Sequence, residues 1–483
     1  MTEDRRSLKD YRGDYLIYAR KVLTVVSNWT GENEIPRAIS TVRAYSQSGW
    51  SEEQSVIPNY WLTFIKCWSE IILQVPDVDT WADILISHAH LNLDRYLGTN
   101  QSADSNSLKL QNFQRLRGSL LSPIIEACEI NRSLILTDEE IEKAYVPFEV
   151  AWSSEVESIL LITPLAGTFQ NPQIFLPVQF SPRTYLVSFK TILKNRLWNH
   201  GKNFRERFND RHIGFTNHCI LVRYLRAKSS MHGNQNDTEE LNLALKEIKD
   251  AITSLRLLSN GTIGGTWAFE ITQKPKFSIR SSHFLEDFEF FVSEKSIFDI
   301  ENASIRQNCQ SIYSKIASEE KMKQLKFALG RFNRSFTRQS LEDVLIDCTI
   351  VLESTVLYGH EDELTYRLGL RSSALISDLF EPSYVQSMLS LMYEIRSQIV
   401  HEGKDLEAIL LEKRFKNKLT KINSGLDFEE FTHKIKTIIR EILKKYIERI
   451  SNGETMDAIK SSLDTKILNG LRTSNEKSSD VET

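Results

Sequence analysis

Arg396 and His401 stand five residues apart in MYEIRSQIVHEGK, residues 392–404, where an apolar helical pattern runs out just before Gly403. A fixed cation and a titratable imidazole at one helix end suit cleavage of a phosphodiester. An unperturbed imidazole titrates near pH 6.5, so His401 can take a proton from a ribose 2′-hydroxyl or give one to the leaving 5′-oxygen. Arg396 can hold the non-bridging phosphate oxygens and stabilise charge that builds on phosphorus. Ser397 can hydrogen-bond the same phosphate.

Two helices must position these groups. In residues 383–401, Val385, Met388, Leu389, Met392, Ile395 and Ile399 recur at spacings of three and four, which predicts an amphipathic helix stopped by Gly403. On an ideal helix Arg396 and His401 lie roughly 140° apart around the axis. A loosened last turn near Glu402 and Gly403 is therefore expected to swing His401 back. The second helix, 338–358, carries one apolar stripe through Leu341, Val344, Leu345, Cys348, Val351, Leu352 and Val356. Ile346, Ile350 and Leu357 lie on the other side with Glu353 among them. A helix apolar on both sides needs cover on both. A carboxylate in that setting needs a cation, and Arg396 is the natural one. Glu353 is expected to orient rather than react.

Arginine followed by histidine at such spacing is common by chance. Arg205 and Arg207 precede His212, Arg211 precedes His218, and Arg226 precedes His232, none of them late in a long amphipathic helix. The surrounding residues are more specific. LIDCTIVLEST (345–355), ELTYRLGLRSSALI (363–376), and the block formed by Tyr393, Arg396, Ser397, Val400, His401 and Gly403 follow in order. Through them, residues 325–450 resemble the Apea-like branch of the HEPN domain superfamily. One departure is Glu402, where that branch often has a glycine directly after the histidine.

The resemblance implies an all-α bundle that dimerises, so that two Arg–His pairs face each other across a cleft. It also implies a metal-independent endoribonuclease that leaves a 2′,3′-cyclic phosphate. Members act in phage defence, toxin–antitoxin pairs and RNA processing, and others that have lost the pair serve in interaction only. The expectation is a homodimer that cuts cellular RNA, transfer RNA being the family-based guess, after a phage-derived trigger. The alternative is a non-catalytic RNA-binding or protein-interaction scaffold.

Other candidates are weaker. EKRFKNKLTK (412–421) places Lys413, Arg414, Lys416 and Lys418 around Phe415, and either tracks an RNA backbone or is a solvated basic face. RLWNHGKNFRERFNDRH (196–212) mixes aromatics with positive charge in the same way. His88 and His90 alternate, and His212, His218 and Cys219 cluster, but no third ligand is assignable, so no metal site is expected. LSNGTIGGT (258–266) lacks the Lys-Ser/Thr ending of a phosphate loop, so no nucleotide cofactor is expected.

The chain has 483 residues and a net charge of −4, so no global field draws it to nucleic acid and any such contact must be local. Five scattered cysteines without a CxxC pair point to a reducing cytoplasm and buried thiols. Nothing at the start resembles a signal peptide, and no apolar run is long enough for a membrane span. The fold expected is α+β overall. Residues 1–145 are mostly helical, with helices over 58–75 and 105–130 and tryptophans 29, 50, 61, 68 and 81 in a core. Residues 146–302 form an α+β domain with strands at 158–165, 173–180, 184–189, 219–225 and 266–272 around a helix at 238–258. Residues 303–472 form the helical bundle, with helices over 304–328, 338–358, 361–380, 383–401 and 427–450. Residues 473–483 are a disordered tail.

Overall fold

The computed structural model describes residues 8–46, 49–75, 119–154, 156–165, 177–189, 218–227, 235–259, 263–272, 278–288, 303–359, 364–423 and 425–479, with a few more between 77 and 84. The protein is mostly helical with one small antiparallel sheet of six strands. It divides into two compact units, each built from separated stretches of chain. The boundary expected at residue 146 falls inside a helix, Asp138–Ser153.

The first unit comprises residues 1–164, 183–246 and 267–283. It opens with α1 (Arg12–Glu32) and a hairpin of β1 (Arg37–Ser46) and β2 (Gly49–Pro58), paired in register from Arg37↔Pro58 to Ser46↔Gly49. This hairpin adds strands to a region expected to be mostly helical: Ile39, Thr41, Val42, Val56 and Ile57 are β-formers. The helix expected over 58–75 breaks at Cys67 into α2 (Tyr60–Lys66) and α3 (Trp68–Gln74). A helix through residues 119–131 covers the end of the stretch expected at 105–130, whose earlier part lies outside the described residues. Then comes α4 (Asp138–Ser153), opened by a reciprocal capping box between Thr137 and Glu140. Tyr15, Tyr145, Phe148, Trp152 and Trp81 are buried together, and Trp29, Trp61 and Trp68 pack against them. The side chain of Trp50 lies outside the described residues.

The sheet uses β3 (Val156–Leu165), β4 (Val178–Ser181), β5 (Thr184–Ser188), β6 (His218–Ala227), β7 (Trp267–Thr272) and β8 (Ser278–Phe284), in the order β4-β5-β6-β3-β7-β8. The strands at 158–165, 184–189, 219–225 and 266–272 are found with shifted ends, and β8 is additional. Of 173–180 only Val178 onward is strand, and 173–176 lie outside the described residues. The long helix α5 (Gln235–Leu258) follows β6.

The second unit comprises residues 165–182, 247–266 and 284–483. The helix expected at 304–328 is interrupted, giving α6 (Ala303–Ile316), a short turn of helix, and α7 (Lys326–Arg334). Then follow α8 (Leu341–Thr355), α9 (Leu364–Leu375), α10 (Pro382–Glu402), α11 (Leu406–Leu411), α12 (Lys413–Ile422), α13 (Phe428–Ser451) and α14 (Met456–Ser479). α14 replaces most of the expected disordered tail. It forms because Met456, Ile459 and Leu463 are buried in the bundle and Asp464 pairs with Arg371 of α9 at 2.7 Å.

One core fills this unit. α13 supplies Phe431, Ile435, Ile438, Ile439, Ile442, Leu443, Tyr446 and Ile447, packed with Val344, Cys348, Val351 and Leu352 of α8 and Met388, Leu389, Met392 and Ile395 of α10. Full burial of each such side chain contributes about 1.5–3 kcal/mol. Ser340 caps α8 by accepting from the Glu342 amide, with Glu342 and Asp343 favourably placed in the first turn. Asp427 caps α13 in the same way. α10 begins with Pro382 in its first turn and ends at Gly403, whose φ of 64° is left-handed. On the second face of α8, Ile346 and Ile350 are half-exposed, and Leu357, expected on that face, lies in the turn just beyond the helix and is buried. Among the described residues, no helix is long and apolar enough to cross a membrane.

Candidate functional site

α8 and α10 pack side by side on α13, which sets the C-terminal half of α8 against the C-terminal half of α10. Met388, Leu389, Met392 and Ile395 turn inward. That leaves Tyr393, Arg396 and Ile399 half-buried at the margin and Val400 and His401 exposed. From α8, Glu353 reaches the same margin.

Three of the four expected groups meet there. Arg396 Nη1 lies 3.3 Å from His401 Nε2, and Arg396 Nη2 lies 3.7 Å from Glu353 Oε1. The Arg396 side chain is 18% exposed and that of Glu353 is 29% exposed, so the pair is half-sheltered yet open to solvent. Arg396 Nε points inward and finds no acceptor. No loosening of the last turn is needed: the helix runs through His401 to Glu402, and left-handed backbone begins at Gly403. The long guanidinium arm spans the angle that the backbone does not close. Ser397 is half-buried, and no hydrogen bond joins it to Arg396, His401 or Glu353.

A guanidinium has donors only. Its contact with His401 therefore requires Nε2 to accept, which leaves the imidazole proton on Nδ1. The lone pair on Nε2 is the one a general base needs. It is held against Arg396, and an anion that draws the guanidinium away frees it.

Tyr393 belongs to this cluster. Its ring lies under the Arg396 guanidinium, 5.9 Å from ring centre to Cζ, and its hydroxyl meets Glu353. Burial pushes the phenol up from its ordinary value, the Glu353 carboxylate adds to the rise, and Arg396 opposes it. Tyr393 thus stays a neutral donor that fixes Glu353. The signal for it was the three-residue spacing to Arg396, which stacks two side chains on one helix face.

The four basic candidates lie on α12. Phe415 and Leu419 are buried, so Phe415 is core and offers no stacking surface. Lys413 and Lys416 are exposed. Arg414 and Lys418 instead grip Glu394 of α10 at 3.6 and 2.5 Å. Glu394 is thus a neighbour that the charge count of 412–421 concealed. Residues 196–212, with Arg205, Arg207, Arg211 and His212, lie outside the described residues, as do His88, His90 and His232. His218 and Cys219 are buried on β6, and burial drives the His218 imidazole down to about 4. The five cysteines are free thiols, all buried.

No family model, curated protein or solved structure matches this chain.

Proposed function

We propose that the second unit is a metal-independent endoribonuclease of the Apea-like HEPN kind, with Arg396 and His401 as its catalytic residues. The observation that carries this reading is the 3.3 Å approach of Arg396 Nη1 to an exposed imidazole Nε2. In this reading the scissile phosphate takes over the guanidinium and releases Nε2. His401 then removes the proton of the 2′-hydroxyl, O2′ bonds to phosphorus, and the bond from phosphorus to O5′ breaks. The departing 5′-oxygen takes up a proton from solvent water, the imidazolium returns its own proton to solvent, and the products are a 2′,3′-cyclic phosphate and a 5′-hydroxyl. Arg396 neutralises the phosphoryl oxygens throughout. Glu353 and Tyr393 are positioning residues that act through Arg396.

The half-exposed Ile346 and Ile350 lie about two turns and one turn before Glu353 on α8. They suit cover by a second copy, which would set two Arg–His pairs at one cleft. The biological role consistent with a large first unit alongside a toxic activity in the second is abortive antiphage defence in the cytoplasm, started by a phage-derived trigger, with cellular RNA such as transfer RNA as substrate.

The test is cleavage of RNA by the purified full chain in excess EDTA. Arg396→Ala is expected to lose about 10²–10³-fold in rate, the typical cost of removing one preorganised charge donor, and His401→Ala to lose at least as much. Equal cleavage by all three proteins would remove the assignment. Absence of cleavage, and of toxicity on expression during phage challenge, would support a non-catalytic scaffold.

A further inference from the structure

From Glu402, next to His401, a continuous chain of alternating charges runs across the surface to α12. Glu402 meets Lys404 at 3.0 Å, Lys404 meets Glu412 at 3.2 Å, and Glu412 meets Arg414 at 2.9 Å. Arg414 then meets one oxygen of Glu394 at 3.6 Å, and Lys418 takes the other at 2.5 Å. Every member is at least a quarter exposed. Beside this chain, Lys413, Lys416 and Lys421 are exposed and have no acidic partner among the described residues. Phe415 and Leu419 face the core, which turns Lys413 and Lys416 outward.

We infer that α12 is a docking surface for the phosphates of single-stranded RNA, and that Glu394 competes with those phosphates for Arg414 and Lys418. This rests on the endoribonuclease reading for its choice of polyanion. Lys413 and Lys416 offer the first, unopposed contacts. Arg414 and Lys418 become available when phosphate oxygens displace the carboxylate. The exchange is easy because exposed ion pairs are weak, whereas phosphate engages a guanidinium through two parallel hydrogen bonds. Glu394 lies two residues before Arg396, so the strand that displaces it arrives at the helix that carries the Arg–His pair. A lipid surface fits less well: the apolar side chains of α12 are already committed to the core, leaving none to enter a bilayer.

The test measures binding of a short fluorescent single-stranded RNA to full-length His401→Ala protein across a salt series. Added Glu394→Gln is expected to tighten binding about three- to tenfold at low salt by removing the competitor. Added Lys413→Glu with Lys416→Glu is expected to weaken it tenfold or more and to flatten the salt dependence by about 0.7 per lost contact. Circular dichroism and thermal melting establish that both variants fold. A Glu394→Gln protein that binds no more tightly would overturn the competitor role. A charge-reversed α12 that binds RNA as well as its parent, or that responds only to phosphatidylserine vesicles, would overturn the docking surface. Binding that changes as expected, in a protein whose His401-containing parent never cuts RNA, would uphold the surface and reject the nuclease.

Discussion

Arg396 can only donate hydrogen bonds, so in its contact with His401 Nε2 is the acceptor. In the proposed nuclease, substrate phosphate would have to outcompete the imidazole for the guanidinium before the base is released. Lysine at 396 would not serve, because a point charge lacks the planar fork that can face Glu353 and a phosphate together. Glu353→Gln and Tyr393→Phe are expected to lower kcat about tenfold while leaving KM near its original value, since both aim the guanidinium without touching substrate. Steady-state kinetics of the two variants check this; a change confined to KM would mean they bind RNA directly. The Arg396, His401 and Glu353 cluster was legible in the sequence because helical spacing ends sharply at Gly403 and because Glu353 interrupts an apolar side. Tyr393 and Glu394 were harder to read. A helical wheel shows which residues share a face, but not which neighbouring helix supplies their partner.

At the scale of elements, the site depends on where α10 stops. Gly403 adopts φ of 64° with nothing within 4 Å of where a Cβ would stand, so Gly403→Ala meets no neighbour and is strained only in its backbone. The expected loss is about 1 kcal/mol of stability. Thermal melting should show a shift of a few degrees, with the bundle otherwise intact. α14 is hard to read from sequence: KSSLDTKILNG (460–470) is rich in polar residues, and TSNEKSSDVET (473–483) after it reads as a tail. It is helical because it docks, and Asp464 on it answers the buried guanidinium of Arg371 through two bonds of 2.7 and 2.8 Å. Asp464→Asn leaves that guanidinium without its carboxylate and, because Asp464 is itself 46% exposed, is expected to cost about 1–2 kcal/mol. Chemical denaturation would measure it, and a loss below 1 kcal/mol would mean that α14 contributes little to the bundle. The same limit on local pattern explains the β1–β2 hairpin: tryptophans at helical spacing suggested helices, while the β-branched residues between them set the outcome.

At the scale of the whole molecule, acid should act on the first unit through His218. Its imidazole is buried and pulled to about 4 by desolvation, so the unfolded chain binds more protons than the native one between about pH 6.5 and pH 4. Stability is therefore full above pH 6.5, falls as pH drops through that window, and levels off below it, by about 3 kcal/mol in all. Glu270 acts lower. Burial pushes its carboxyl up, but His283, Arg226 and Ser281 outweigh that and hold it at about 2, so its stabilising contribution is lost between about pH 4.5 and pH 2. Denaturation midpoints across pH should show both losses, and His218→Leu should remove the upper one only. Strand positions in this unit were legible as runs of Val, Ile, Leu and Phe. Its limits were not, because two compact units share the chain as interleaved stretches, and composition along a sequence cannot reveal stretches that rejoin in space.

The central claim meets its most direct test in the chemistry of the cut ends. An RNA incubated with the purified protein in EDTA should yield a 2′,3′-cyclic phosphate and a 5′-hydroxyl, and a substrate with a single 2′-deoxy nucleotide at the cut should resist. Products with 5′-phosphates, or cleavage that survives both the 2′-deoxy substitution and His401→Ala, would contradict an imidazole that activates a ribose hydroxyl beside Arg396.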